Sequence, residues 1–256
     1  MSEGISMQSE PTPTSSRAYT GDVADLYDLI HEARGKDYRA EAKEILRIAT
    51  EKTTNPGSLL DVACGTGLHL KAWKDLVAHV EGVDLSPDMC SMATNRLNGV
   101  KVHEGDMREL HLGRRFDVVT CLFSSIGHLP NTIDLEATFR SFALHLEAGG
   151  TILVEPWWFP DRFIHGYVSA ATIDAPWGAV SRVSHSVREE GNSTIEVHYL
   201  VAERGRGITQ LRENHVLSLF TLDDHLRAFE AAGLSARYIE SSMFERGIFV
   251  AHHSRD

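Results

Sequence analysis

The 256-residue sequence contains three cysteines, and none stands in a C-x-x-C pair. Cys64, Cys90 and Cys121 therefore point away from a disulfide framework or a zinc site and toward buried thiols in a reducing compartment. No apolar run is long enough to span a bilayer and the N-terminus has no secretory pattern, so a cytoplasmic protein without membrane association is expected. Basic residues are outnumbered: the formal net charge of −11 disfavours a general nucleic-acid binder, which needs a basic face. Fourteen histidines occur without an H-E-x-x-H pattern, and no ligand cluster calls for a metal; His252-His253 reads as a strand end. No internal repeat is present.

What remains is ordinary for a globular enzyme, with 42% hydrophobic and 24% charged residues. The length suits one domain carrying a sizeable insertion. The informative stretch runs from Ser58 to Leu70. Its apolar start, Ser58 to Ala63, reads as a strand buried on both faces of a parallel sheet. Gly65 and Gly67 then bracket Thr66 in a tight turn, and Leu70, Trp73, Leu76 and Val77 recur at helical spacing to about Ala78. Strand, glycine turn and helix is the unit that holds a nucleotide-like ligand at the carboxyl end of a sheet. A dinucleotide fingerprint would need a third glycine where Leu70 stands, and a phosphate loop would need Gly-Lys-Ser/Thr, which is missing. A nicotinamide dehydrogenase is accordingly disfavoured.

Two further pieces follow in order. Asp84 ends a second strand, His79 to Asp84, roughly 20 residues after Asp61, where an acid can accept hydrogen bonds from ribose hydroxyls. Gly105-Asp106-Met107 follows a third strand around Val100 to His103, and a carboxylate beside a thioether suits an exocyclic amine and the face of an adenine. Together these pieces resemble the class I S-adenosylmethionine (SAM) methyltransferases. The resemblance implies an α/β fold with a Rossmann-like doubly wound sheet.

Along the chain, residues 1–17 are rich in Ser, Thr, Pro and Glu and read as a disordered tail. Residues 18–57 hold two helices ahead of the first strand, the second from about Asp37 to Thr53. Such helices lid the cofactor site in this fold, so Tyr19, Tyr27 and Tyr38 are either ligand contacts or core aromatics. Ser86-Pro87 is a serine N-cap with proline at the first helical position, opening a helix to about Leu97. Phe116 to Phe123 forms the fourth strand. A helix from about Thr132 to His145, closed by Gly149-Gly150, leads to a fifth at Thr151 to Glu155. Residues 58–160 thus form the SAM-binding core. Residues 161–220 alternate and are rich in β-branched types, with a turn at Gly191-Asn192, predicting an inserted antiparallel layer of three or four strands. Residues 221–256 supply a helix from Thr221 ending at Gly233 and two final strands that complete the core sheet.

The acceptor must enter over strands four and five and the inserted layer. His128, at the end of Ser124-Ser-Ile-Gly-His128, is either structural or a polar group aimed at the acceptor. Trp157 and Trp158 offer flat apolar surface for a base or sugar, or fill core. Arg182 and Arg246 are the candidate phosphate ligands, their alternative being ordinary surface arginines.

The runs Leu59 to Gly67, Gly105 to Arg108, Cys121 to His128, Val154 to Phe159, Ser181 to Ser186 and Arg246-Gly-Ile-Phe249 are similar to the nucleotide-deoxyaminosugar N,N-dimethyltransferases of macrolide sugar pathways such as desosamine and mycaminose. This resemblance covers Tyr19 to Val250. It implies a SAM donor yielding S-adenosylhomocysteine, no metal, a dTDP-linked amino-dideoxyhexose acceptor methylated twice on its amine, and a homodimer. The candidate cofactor contacts are Tyr27, Tyr38, Ala63, Gly65, Gly67, Asp84, Leu85, Met89, Asp106, Met107 and Phe123. The acceptor side takes Tyr19, His128, Trp157, Trp158, Arg182 and Arg246, with His128 and Tyr19 as catalytic candidates. Ser242-Met-Phe-Glu245 departs from the family's Gly-Pro-Ser-Gly, so the sugar end of the pocket is expected to differ. A methyltransferase of another small amine or hydroxyl is the alternative.

Overall fold

A computed structural model describes residues 22–51, 53 and 55–254. The N-terminal tail and Tyr19 lie outside the described residues. Two helices open the chain, α1 (Asp22–Ala33) and α2 (Tyr38–Ala49). The Asp37 side chain caps α2 by accepting from Ala40 N–H, and the helix ends at Ala49, short of the expected Thr53.

The central sheet then builds by alternation: β1 (Ser58–Val62), α3 (Leu68–Trp73), β2 (His79–Asp84), α4 (Pro87–Arg96), β3 (Lys101–Glu104), β4 (Phe116–Cys121), α5 (Thr132–Leu144) and β5 (Leu146–Val154). After an excursion it is completed by α6 (Leu222–Ala231), β10 (Leu234–Ile239) and β11 (Ile248–His253). The strand order is β10-β11-β5-β4-β1-β2-β3, with β11 antiparallel to both neighbours and the other pairings parallel. The order reverses between β1 and β4, and that crevice at the carboxyl ends is where such a sheet binds ligands.

Helices cover both faces. On one, Phe139 of α5 stacks on Phe229 of α6 at 3.7 Å between ring centroids, over Phe116 and Phe249. On the other, Ile45 of α2 and Trp73 of α3 pack over Leu59 and Val118, and the Trp73 indole N–H donates to the Ala42 carbonyl. The capped starts behave as the sequence predicts. Ser86 Oγ accepts from Met89 N–H, and Thr221 forms a reciprocal capping box with Asp224.

Two elements depart from expectation. Helix α3 stops at Trp73 instead of running to Ala78, because the Leu76 and Val77 amides both turn back onto the Trp73 carbonyl, which tucks Val77 into the core. Gly149-Gly150 does not close α5, which ends where His145 N–H returns to Phe142 and Ala143. The glycines sit inside β5, where its register against β4 jumps from Phe116–Leu146 to Val118–Thr151. A Cβ on Gly150 would come within 2.8 Å of the Asp117 carbonyl, so this bulge needs glycine.

Between β5 and α6 lies a separate four-stranded antiparallel sheet, β6 (Tyr167–Ala175), β7 (Gly178–Glu189), β8 (Asn192–Glu203) and β9 (Gly207–Ser218). Glu190 and Gly191, both at positive φ, make the two-residue turn between β7 and β8. One face of this sheet, through Ile173, Val180, Tyr199 and Val201, packs on Leu26 and Ile30 of α1. The N-terminal helix is thereby held between the inserted sheet and the crevice.

Candidate active site

The backbone leaves β1 through Ala63 at φ +58°, then turns at Gly65 (+55°) and Gly67 (+80°). Gly65 N–H donates to Asp84 Oδ2 at 2.8 Å, while Asp84 Oδ1 accepts Ser86 N–H at 2.9 Å. Asp84 thus ties the glycine turn to the entrance of α4, and burial raises its pKa. Beside Gly65 there is open space, but Gly67 faces α4: a Cβ there would approach Leu97 Cδ1 to 2.9 Å. Gly67 serves the packing of turn against helix. The turn is also clamped from above, since Thr66 Oγ1 donates to Asp28 Oδ1 of α1 at 2.6 Å and Arg96 donates to Asp28 and to Thr66.

A cavity opens at the ends of β1 and β4. Among the predicted contacts, Tyr27, Tyr38, Ala63, Gly65 and Phe123 line it together. Asp61, Thr66, His69 and Ser125 line it too and were not singled out for the site by their motifs. Asp61, fully enclosed and accepting from Thr120 Oγ1 at 2.7 Å, has its pKa raised by burial to about 6. Leu85 is exposed just past Asp84. Asp106 is gripped by Arg108, whose guanidinium, by hydrogen bond and charge, holds the carboxyl below its ordinary range; Arg108 also reaches Asp134 at 3.1 Å. Met107 is half-buried against the core. Met89, in the first turn of α4, is buried at 2% exposure.

The residues fit an adenosyl ligand with a polar tail. The Tyr38 hydroxyl is buried and has no hydrogen-bond partner among the described residues, a state that costs free energy until a ligand fills it. Gly65 and the Asp84 carboxylate that it meets lie toward β2, whereas Phe123 lies toward β4.

The second half of the crevice is built on β4, β5 and the inserted sheet. Phe123 and Ser124 leave β4 in the left-handed region, at φ +55° and +62°, and a short 3-10 turn carries the chain to His128. His128 keeps an exposed surface although neighbouring protein crowds its ring. That desolvation, with His215 at 6.2 Å between ring centroids, lowers its pKa to about 4. The ring is therefore neutral at pH 7. Behind it His215 Nε2 meets Glu213 Oε2 at 3.3 Å, and Glu213 also accepts the Tyr199 hydroxyl at 3.1 Å.

Arg246 is held from two sides. Its Nε–H donates to Ser124 Oγ at 2.6 Å and an Nη2–H to Glu155 Oε1 at 2.9 Å, while Glu155 Oε2 accepts Phe123 N–H at 2.8 Å. Trp157 and Trp158 flank its guanidinium at 5.3 and 5.6 Å. The Trp157 indole N–H donates to Ser193 Oγ at 2.8 Å, tying β5's exit to the inserted sheet. The glycine in Arg-Gly-Ile-Phe has a steric reason: a Cβ on Gly247 would fall 2.3 Å from the Tyr238 hydroxyl, which itself donates to the Arg246 carbonyl. Arg182 lies on the inner face of β7, opposite Tyr199, and donates to Ser184 Oγ at 3.0 Å. It has no carboxylate within ion-pair distance among the described residues. Neither Glu213 nor His215 was visible as a site residue, because β9 meets the turn bearing His128 only through tertiary packing.

Residues 59–150 match the methyltransferase-domain family. Over 232 residues, 91% of each chain, the sequence is 48% identical to the dTDP-3-amino-3,6-dideoxy-alpha-D-glucopyranose N,N-dimethyltransferase of Streptomyces fradiae. It is 42% identical over 246 residues to the dTDP-4-amino-2,3,4,6-tetradeoxy-D-glucose N,N-dimethyltransferase of Saccharopolyspora spinosa, covering 96% of this chain and 98% of that one. Among solved structures, DesVI of Streptomyces venezuelae superposes with a TM-score of 0.89 at 45% identity, over 92% of this chain and all (100%) of that one. SAM-bound CalS10, an amino pentose methyltransferase from Micromonospora echinaspora, gives 0.84 at 36% identity, over 94% and 100%.

Proposed function

The chain belongs to the dTDP-aminosugar N,N-dimethyltransferases, SAM-dependent enzymes of antibiotic deoxysugar biosynthesis, and from that premise we propose its acceptor, its site roles and its assembly. The acceptor is a dTDP-3-amino-3,6-dideoxyhexose, methylated on its amine once and then again. The observation that carries this choice is the higher identity to 3-amino relatives, 48% and 46%, than to the 4-amino relative, 42%. A macrolide sugar pathway, a cytoplasmic location and a homodimer complete the reading. The homodimer is supported by Val168, Val183 and Leu200, exposed on the outer face of the inserted sheet.

Residues 58–160 with 221–256 act as the donor-binding core, 18–57 as its lid and 161–220 as the acceptor layer. SAM supplies a methyl group already activated on a sulfonium, so the protein's task is alignment and protection of the free amine. Asp84 holds the ribose, Asp106 and Met107 the adenine, and Tyr27, Tyr38 and Phe123 the methionyl end. His128, neutral at pH 7, accepts a hydrogen bond from the acceptor amine and turns its lone pair toward the methyl carbon, with Tyr19 as its companion. The new N–C bond forms as the S–C bond breaks, and the amine proton leaves to water. Arg182, Arg246 and the two tryptophans hold the nucleotide-sugar.

The test is incubation of the purified protein and SAM with dTDP-3-amino and dTDP-4-amino sugars, followed by mass spectrometry. Sequential one- and two-methyl products from the 3-amino sugar are expected. Methylation confined to the 4-amino sugar would overturn the acceptor assignment.

A further inference from the structure

The donor's methionyl tail carries a carboxylate, and the cavity around it is rich in acids. Asp61 lines it, and Asp28 and Glu41 stand close behind its walls. An anionic group entering there needs a cation. Arg96 is committed to Asp28 and Thr66.

Lys36 stands in the short link between α1 and α2, and its side chain is only 11% exposed. Its ammonium lies 4.0 Å from the centroid of the Phe123 ring and 5.7 Å from that of Tyr38, two aromatic side chains that line the cavity. It reaches one acceptor, Glu41 Oε2 at 2.7 Å, and that oxygen is shared with His69 Nε2 at 2.9 Å. An ammonium has three donors, and among the described residues no second oxygen takes either of the others. Beside it the Tyr38 hydroxyl is buried and unpartnered. A buried ammonium with spare donors next to an orphaned hydroxyl is a matched pair for a carboxylate.

Position agrees with chemistry. Asp84 ends β2 and Phe123 follows β4, with β1 between them. A donor whose ribose rests on Asp84 therefore extends across the β1 end, and its tail arrives beneath Lys36.

We propose that Lys36 is the cationic ligand of the donor's α-carboxylate, with Tyr38 donating the second hydrogen bond. This rests on the SAM reading above. Lys36 gives the lid a charge-dependent grip on the donor: the residue sits between the two lid helices, so engaging the carboxylate draws their junction onto the strand ends.

The test compares S-adenosylhomocysteine with its decarboxylated analogue, which keeps the amine, by isothermal titration calorimetry on the full chain. Lys36→Ala is expected to weaken S-adenosylhomocysteine about 10- to 100-fold, the range for a lost charged hydrogen bond, and the analogue less than about twofold. The readout is the ratio of the two affinities, which does not depend on the folded fraction; if Lys36→Ala is too unstable, Lys36→Gln is measured the same way. Equal losses for both ligands, or none, would overturn the proposal alone and leave Lys36 as a structural partner of Glu41. Failure of the wild-type protein to bind either nucleoside would overturn the donor reading and the proposal with it.

Discussion

Arg246 and Glu155 form an ion pair at 2.9 Å where the exit of β5 meets the entrance of β11, and both side chains are largely closed to water, at 15% and 3% exposure. The pair does more than join two strands. Through its other oxygen Glu155 holds the amide of Phe123, and through its Nε Arg246 holds Ser124, so the strained left-handed step after β4 hangs on this one contact. Removing one partner leaves a buried charge unmatched.

Arg246→Ala should accordingly destabilise the fold by about 3 kcal/mol, the lower end for breaking a buried pair. It should also raise the acceptor's KM more than the donor's. Chemical denaturation and steady-state kinetics read the two effects separately. Full retention of stability would mean that the pair contributes nothing net.

Asp61 predicts a pH dependence. Its pKa is raised by burial, from an ordinary 3.8 to about 6 in the folded state. Between those values the folded chain keeps a proton that the unfolded chain has released, so stability falls as pH rises through that window and stays lower above it. Asp61→Asn should remove that loss and stabilise the ligand-free protein at pH 7 by about 3 kcal/mol. The advantage should shrink toward pH 4. Melting curves of both proteins across this range would reveal it, and a constant difference would show that Asp61 does not titrate there. The same variant should bind the cationic donor less well.

His128→Asn should retain most activity, with a loss below about tenfold against the 10²–10⁴ of a true general base. With its pKa lowered to about 4, the imidazole does not change charge between pH 6 and 9, so it contributes no limb to the rate profile there. Single-turnover rates at pH 7 and pH 9 are the measurement. A thousandfold loss at pH 7 that shrinks at pH 9 would make His128 the base.

Asp84→Ala should weaken SAM binding by about 1–3 kcal/mol through the lost ribose contact. It also releases the Gly65 and Ser86 amides, so the variant should melt lower without ligand as well. Unchanged affinity in a titration would take Asp84 out of the site.

The glycine-turn half of the candidate site was legible in the sequence because it is local. Ala63, Gly65 and Asp84 belong to a turn and a strand end whose chemistry is set within a few residues. The half of the crevice built on β4, β5 and the inserted sheet was legible only in part. Arg246 could be named from its motif, but its pairing with Glu155 spans 91 positions. His215 and Glu213 carry no local signal at all; they matter because β9 packs against the turn bearing His128. Boundaries failed where a nearby backbone competed with local preference. Gly149-Gly150 reads as a helix stop, yet the carbonyl of Asp117 demands glycine in a strand.

The inserted sheet leaves the core at β5 and rejoins it before α6, two connections that run close together in space: Trp157 donates to Ser193 Oγ, which donates to the Leu217 carbonyl. Such an attachment lets the inserted sheet vary over evolution without the parallel sheet being rebuilt, and on the proposed division of the site it would let acceptor preference vary apart from donor chemistry. Helix α1 sets the limit on that freedom. Leu26 and Ile30 fill the inserted sheet's inner face while Asp28 grips the glycine turn. The heritable cassette is therefore discontinuous, α1 together with β6–β9, and chimaeras that graft the strands without their own first helix would inherit a mismatched interface.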